Sequence, residues 1–462
     1  MIFRRALLAA PALLPAVAAA QSAFPLLQDD SVAPGFRRGV LMRWGDRVTF
    51  DAPPWDPRTV DAEGAAAQFG WDGRIAGLVI PPMAADRVPR GVLAIAHPTV
   101  DPAMAFPGGL DRPEVAASMQ GASLLNVELQ AGRWIVIDGG FQSRRLTAST
   151  LCRAVGPLAA ATGGALRGVV AVTGGCATPW NSLLLTEGDA TPWIQRIGLS
   201  DAEGYGWLVE LDPLDPQSIP VKHTALGRFP KSDAAAATAR SGQAVVFVAE
   251  RGSGGYLFRF VSSGPAAAGG ALESGQLSVA QIQGGQLSWV ALADAAHPPE
   301  AARAAGGTPF DTPSGLAWDA SGNRLALCGG LGVISFLPDG GDPAAPTMTL
   351  RRHDASRLGA IRTVGIDARG GLLLGADTDG VVGPTAQTLW LMDDRGVRPI
   401  YGAARAAGIG GAAVSPDGRV IFTLARRPGA ERGASFERPS TRWPEFEPGV
   451  PPRSALLSLE RA

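Results

Sequence analysis

The chain has 462 residues, with 41 Lys and Arg against 42 Asp and Glu and a formal charge of -1; without a basic surplus, nucleic acid is excluded as a partner. Charged residues are only 18%, while 60 Gly and 38 Pro make up about a fifth of the chain, a composition of short strands joined by many turns rather than of helices. The three cysteines, Cys152, Cys176 and Cys328, cannot all pair with one another, which excludes a disulfide-stapled scaffold.

At the start of the chain Arg4 and Arg5 precede an apolar run that ends in Ala18-Ala19-Ala20. A charged n-region, an apolar stretch and a small-residue site predict a signal peptide over 1–20, with an arginine pair of the twin-arginine type, and hence a periplasmic or secreted protein. No later segment reaches 18 uninterrupted apolar residues, so no membrane-spanning helix is expected in the mature chain. Residues 21–462 read as one domain built on a repeat: an apolar strand, a polar or glycine-rich loop, a second apolar strand, then a turn. Six copies follow in order: 92–96 with 123–127, 183–185 with 207–211, 245–248 with 256–260, 324–327 with 333–337, 372–374 with 388–392, and 420–424 with 455–459. Turns such as Pro338-Asp339-Gly340 and Pro416-Asp417-Gly418 fit β-hairpins. The expected fold is all-β, a six-bladed β-propeller with loop insertions, closed on itself and monomeric by default; a β-sandwich is the alternative.

In a propeller the ends of the first strands converge on one mouth of the channel, and here they hold His97, Glu187, Glu250, Cys328, Asp377 and Arg426. All but the arginine can bind a cation or move a proton. Carboxylates brought together from separate blades repel, so metal ions or arginines must compensate them. The bland alternative is that polar residues end strands where solvent begins.

Further along, the sequence resembles the PhoX-type alkaline phosphatases. The strongest segment is Gly206-Trp207-Leu208-Val209-Glu210-Leu211-Asp212-Pro213, continued by Pro220-Val221-Lys222-His223-Thr224-Ala225-Leu226-Gly227-Arg228-Phe229. Shorter matches lie at 41–45, 68–70, 97–108, 144–147, 178–180, 256–260 and 415–418. The resemblance implies a six-bladed propeller, export by the twin-arginine route, and hydrolysis of phosphate monoesters of small molecules at calcium and iron ions held by carboxylates and a cysteine.

The same resemblance exposes departures at the metal-holding positions. A His-Glu pair reads His97-Pro98, and the cysteine of Cys-x-Gly-Gly-x-Thr-Pro-Trp reads Thr173, with Cys176 three residues later. Paired acids survive as Glu187-Gly188, a second His-Glu reads Lys231-Ser232, and two further acids read Gly255 and Ser314. Calcium takes six to eight oxygens, so an identical multinuclear centre is not expected. A reduced site would use Glu187, Glu250, Asp377 and Asp379 for one divalent ion, with His97 as proton carrier. Cys176 is either a displaced thiolate or a small buried filler. Arg228, Arg144 and Arg145 are candidates for the substrate phosphate, or else members of surface salt bridges. Cys152 and Cys328 read as structural, His223 as a satisfied strand histidine, and His297 and His353 as solvated. No P-loop, H-E-x-x-H or C-x-x-C occurs. Two functions stand: an exported, metal-dependent phosphomonoesterase acting through a metal-activated water, or a propeller that kept the scaffold, lost the chemistry and serves as a binding or scaffolding protein.

Overall fold

The computed structural model describes residues 23–198, 202–330 and 332–462; the signal peptide expected over 1–20 lies outside them. Six blades surround a channel, antiparallel except where Val221–His223 pairs parallel with Leu151–Val155 at the outer side of blade 2. Their innermost strands are Arg74–Val79, Val172–Ala177, Lys231–Thr238, Gly315–Asp319, Ile361–Ile366 and Gly408–Val414. Each packs beside the next and the sixth packs beside the first, closing the ring. Blade 3 and blade 4 share a continuous nine-stranded sheet because their outer strands, Gln286–Ala291 and Thr347–His353, pair. Blade 6 is completed by Phe36–Arg43 from the start of the domain, paired with the last strand Ala455–Arg461. That pairing ties the first part of the domain to its last strand and so closes the ring within blade 6.

All six strand pairs expected from the sequence are antiparallel neighbours. They are, however, the second and third strands of their blades; one more strand lies inside each pair and lines the channel. The apolar runs are dense because alternate side chains of a strand serve two different cores. In Arg90–His97, Leu93 and Ile95 pack toward blade 6, whereas Val92, Ala94 and Ala96 pack toward blade 2. Leu183 and Leu185 join that second core while Leu184 faces blade 3. Burying one such leucine fully stabilises by about 1.5–3 kcal/mol, and every blade has two such faces.

The innermost strands read differently because space falls toward the axis. A Cβ at Gly77 would sit 2.7 Å from the backbone nitrogen of Ala177 in the neighbouring innermost strand. One at Gly410 would sit 2.4 Å from the carbonyl oxygen of Gly73. Small residues are therefore required, and runs such as Thr173-Gly174-Gly175-Cys176 or Ala234-Ala235-Ala236-Ala237 carry little apolar signal. Over one end of blades 1 and 2, the short helices Ala62–Ala67, Pro102–Ala105, Pro113–Met119 and Thr191–Ile197 pack around Trp44, Trp71, Met104 and Trp193 in a separate apolar cluster. Asp61 and Asp101 cap the first two by accepting from Gly64 N–H and Ala103 N–H.

Candidate functional site

The second strand of each blade ends where the innermost strand begins. Ala96 pairs with Arg74, Glu187 with Val172, Glu250 with Lys231, Cys328 with Gly315, Ala376 with Ile361 and Arg426 with Gly408. His97, Glu187, Glu250, Cys328, Asp377 and Arg426 therefore stand at one mouth of the channel. What each does there differs.

Between blades 5, 6 and 1 the mouth is an ion-pair lattice. Arg426 donates Nε to Asp72 Oδ1 at 2.8 Å and Nη1 to Asp377 Oδ2 at 2.9 Å, and its Nη2 lies 2.5 Å from Asp72 Oδ2. Arg427 adds bonds to Asp377 Oδ2 at 3.0 Å and to Asp379 Oδ1 at 2.8 Å. Asp72 is fully buried and also accepts from Thr99 and from Gly73 N–H. Burial alone would raise its pKa, but Arg426 and Arg427 outweigh that and hold the carboxyl far below the usual range. Asp377 and Asp379 are thus neutralised by guanidinium groups.

Between blades 2 and 3 the cations are lysines. Glu187 is fully buried; its Oε1 accepts from Lys222 Nζ at 2.8 Å and from Val170 N–H, and its Oε2 from Trp207 N–H at 3.1 Å. Lys231, where the resemblance has a histidine, is buried with Nζ donating to the carbonyls of Gly206, Gly227 and Phe229 at 2.7, 3.0 and 3.2 Å. Its ammonium lies 3.9 Å from the Phe229 ring centre, and burial lowers its pKa to about 7. Glu250 accepts from Tyr256 N–H at 3.1 Å and has no cation within ion-pair distance among the described residues; burial raises its pKa.

His97 is fully buried, edge-on to Phe69, with Nδ1 2.5 Å from the Asp72 carbonyl and Nε2 2.7 Å from Ser123 Oγ. Burial drives its pKa well below the usual value, and Arg145 adds to that. With both ring nitrogens engaged, it latches blade 1 rather than offering a mobile proton. Arg145 donates to Ser123 Oγ and to the carbonyls of Ser118 and Gln120, and burial lowers its pKa to about 9. Arg144 binds the carbonyls of Pro216 and Ser218, each at 2.8 Å, and so ties blade 1 to a loop of blade 2. Arg228 donates Nε to the Tyr205 carbonyl at 3.0 Å. Cys176 lies inside the channel wall with its thiol pKa pushed up by burial, and Cys328 is pushed up to about 12; both are thiols at neutral pH. His223 pairs with Glu210 at 2.7 Å.

The structure also brings in groups that sequence reasoning missed. Arg74 opens the first innermost strand and donates to the carbonyls of Ser314 and Arg362. Asp233 accepts from the N–H groups of Gly175, Ala234 and Leu316, each at 3.0 Å. Burial raises its pKa to about 6 against the pull of Arg74 and those donors. Both line a channel cavity of about 180 Å³. Arg251 and Arg362 stand near Arg426 and Asp379, and their side chains make no hydrogen bond or ion pair among the described residues. Of these, only Arg251 had a signal in the sequence, beside Glu250 at the end of a strand.

Calcium needs six to eight oxygens and iron needs anionic donors. Among the described residues no three His, Cys, Asp or Glu side chains gather to hold an ion, and three of the four carboxylates expected to do so already hold Lys222, Arg426 or Arg427. The altered positions are also filled. Thr173 Oγ1 donates to the Lys231 carbonyl at 2.8 Å; a Cβ at Gly188 would lie 2.6 Å from Thr173 Cγ2, and one at Gly255 would lie 2.6 Å from the Glu250 carbonyl oxygen. The residues present do not fit a calcium and iron centre.

A family model described as alkaline phosphatase PhoX matches residues 21–364. Among solved structures, the chain is similar to Pseudomonas fluorescens PhoX in complex with vanadate, a transition state analogue, at 22% identity and a TM-score of 0.84, over 96% of this chain and 98% of that one. A gluconolactonase from Xanthomonas campestris aligns over 96% of this chain and 99% of its own at 11% identity, with a TM-score of 0.37. No curated protein matches.

Proposed function

This chain belongs to the PhoX family of alkaline phosphatases, and from that premise we propose that it is exported, takes phosphate monoesters of small molecules at the mouth of its propeller channel, and hydrolyses them there. The observation that carries this reading is a pair of guanidinium groups at the mouth, Arg251 and Arg362, that no side-chain hydrogen bond or ion pair engages among the described residues. Arg426 and Arg427, by contrast, are held by Asp72, Asp377 and Asp379. A phosphate monoester carries close to two negative charges at neutral pH and three strong acceptor oxygens, which two convergent arginines match.

No step runs through a metal, because the donor set does not fit one. Arg251 and Arg362 hold the phosphoryl oxygens and offset the charge that builds on them as the ester bond breaks. Glu250, with a raised pKa and no cation in ion-pair contact among the described residues, accepts the proton of the attacking water as the water oxygen bonds to phosphorus, and that proton leaves with the alcohol as the ester P–O bond breaks. A second reading, a propeller that binds phosphate esters without turnover, is favoured by the way Glu187, Asp377 and Asp379 are already committed to lysine and arginine.

The test measures p-nitrophenyl phosphate hydrolysis and vanadate binding, with and without chelator. Hydrolysis that survives chelator, and falls by more than about tenfold in Arg251→Ala/Arg362→Ala, supports the phosphatase reading. Vanadate binding without turnover selects the second reading, and absence of both overturns the two together. Hydrolysis abolished by chelator would mean that the carboxylates release their cations to a metal, which overturns the metal-free route.

A further inference from the structure

On the flank between blades 4 and 5, reaching to the end of the propeller opposite the mouth, a cavity of about 780 Å³ opens against the strand Phe36–Arg43 that completes blade 6. Its volume falls within the roughly 300–1,000 Å³ of small-molecule sites, and its lining is dominated by arginine. Three of these arginines are built into the wall. Arg324 pairs with Asp319 at 3.0 Å and also donates to the Gly370 carbonyl, Arg398 pairs with Asp393 at 2.8 Å, and Arg461 pairs with Asp367.

Three others, Arg351, Arg369 and Arg395, also line the cavity. They are exposed and have no carboxylate within ion-pair distance among the described residues. They come from separate elements: Arg351 from the outer strand Thr347–His353 of blade 4, Arg369 from the turn before Leu372–Ala376, and Arg395 from the turn between Thr388–Asp393 and Gly396–Gly402. The remaining acid of the lining, Asp394, lies near Arg398. His353 sits on the same wall with Nε2 2.8 Å from Ser335 Oγ; burial lowers its pKa, and Arg351 and Arg324 lower it further, as a positive local field requires.

We infer that this groove is a second anion site, separate from the channel mouth, that takes a linear oligophosphate. Three guanidinium groups presented from a strand and two turns carry more positive charge than one phosphate neutralises, whereas a chain of phosphates presents an anionic group to each. The paired arginines fix the wall, and the unpaired ones supply the attraction. Because they are solvated while the groove is empty of protein partners, they carry little desolvation cost before binding.

The experiment titrates inorganic tripolyphosphate by calorimetry into the Arg251→Ala/Arg362→Ala protein, so that the mouth does not contribute. One tripolyphosphate per chain is expected, binding more weakly as salt rises. Adding Arg351→Ala/Arg395→Ala should weaken binding by at least about tenfold, while Arg351→Lys/Arg395→Lys restores part of it. Orthophosphate should bind far more weakly than tripolyphosphate. An affinity unchanged by the groove substitutions, or equal for orthophosphate and tripolyphosphate, overturns the inference.

Discussion

The mouth and the groove on the flank of this propeller are both rich in arginine, yet the residues live under different rules. At the mouth Arg426 is 8% exposed and holds two aspartates, Asp72 and Asp377, that are 0% and 1% exposed. In the groove Arg351 is exposed and holds none. A buried charge has lost its water and must find a counter-charge within the protein, whereas an exposed one keeps its hydration and remains available to a ligand. Among the described residues, arginine at the mouth is therefore first a structural ion and only at Arg251 and Arg362 a free one, while in the groove half of the arginines are free.

Removing the central cation is the strongest way to break that comparison. Arg426→Ala leaves Asp72 and Asp377 buried with Arg427 as their remaining ion-pair partner among the described residues, and should cost about 3–5 kcal/mol, read as a lower urea midpoint with an unchanged slope. A loss below about 1 kcal/mol would mean that the aspartates take up water or protons freely, and that the mouth is softer than its geometry implies.

The channel acid gives an intermediate effect of defined sign. Asp233 has a folded pKa raised to about 6, above the unfolded value of about 3.9, so its protonated form favours the fold. Its contribution is complete below about pH 4 and is lost as pH rises through 6, amounting to about 2–3 kcal/mol. Asp72, with its pKa held low, acts in the opposite sense and loses its contribution as pH falls below about 4. Unfolding curves at successive pH values should therefore show Asp233→Asn flattening the dependence between pH 4 and 6 while leaving the acid limb intact.

The smallest effect sharpens the contrast from the other end. Arg351→Ala should change stability by less than about 0.5 kcal/mol, although the same residue type at Arg426 costs several. A larger loss in the urea midpoint would show that Arg351 is a wall residue and not a free cation.

The sequence already exposes the blade count, because strands buried on both faces must be apolar at nearly every position, as in Val92 to Ala96 or Val245 to Val248. It also exposes the ends of those strands, which is why Glu187, Glu250, Asp377 and Arg426 stand out before any coordinates. Hidden from it are the six innermost strands, whose glycines and alanines answer to crowding at the axis and look like loop. Asp72, Arg74, Asp233 and Arg362 sit on or beside those strands and were missed with them.

Family, fold class and the loss of the expected ligands were thus fixed by local pattern, since each depends on residues near one another in the chain. Which charge answers which depended on tertiary structure alone. Arg426 meets Asp72 across 354 positions of sequence, Lys222 reaches Glu187 across 35, and no spacing rule links them. Ring closure brings those strand ends to a single mouth, where burial makes Glu187, Asp72 and Asp377 each take a nearby cation, and in this chain that cation is a lysine or an arginine.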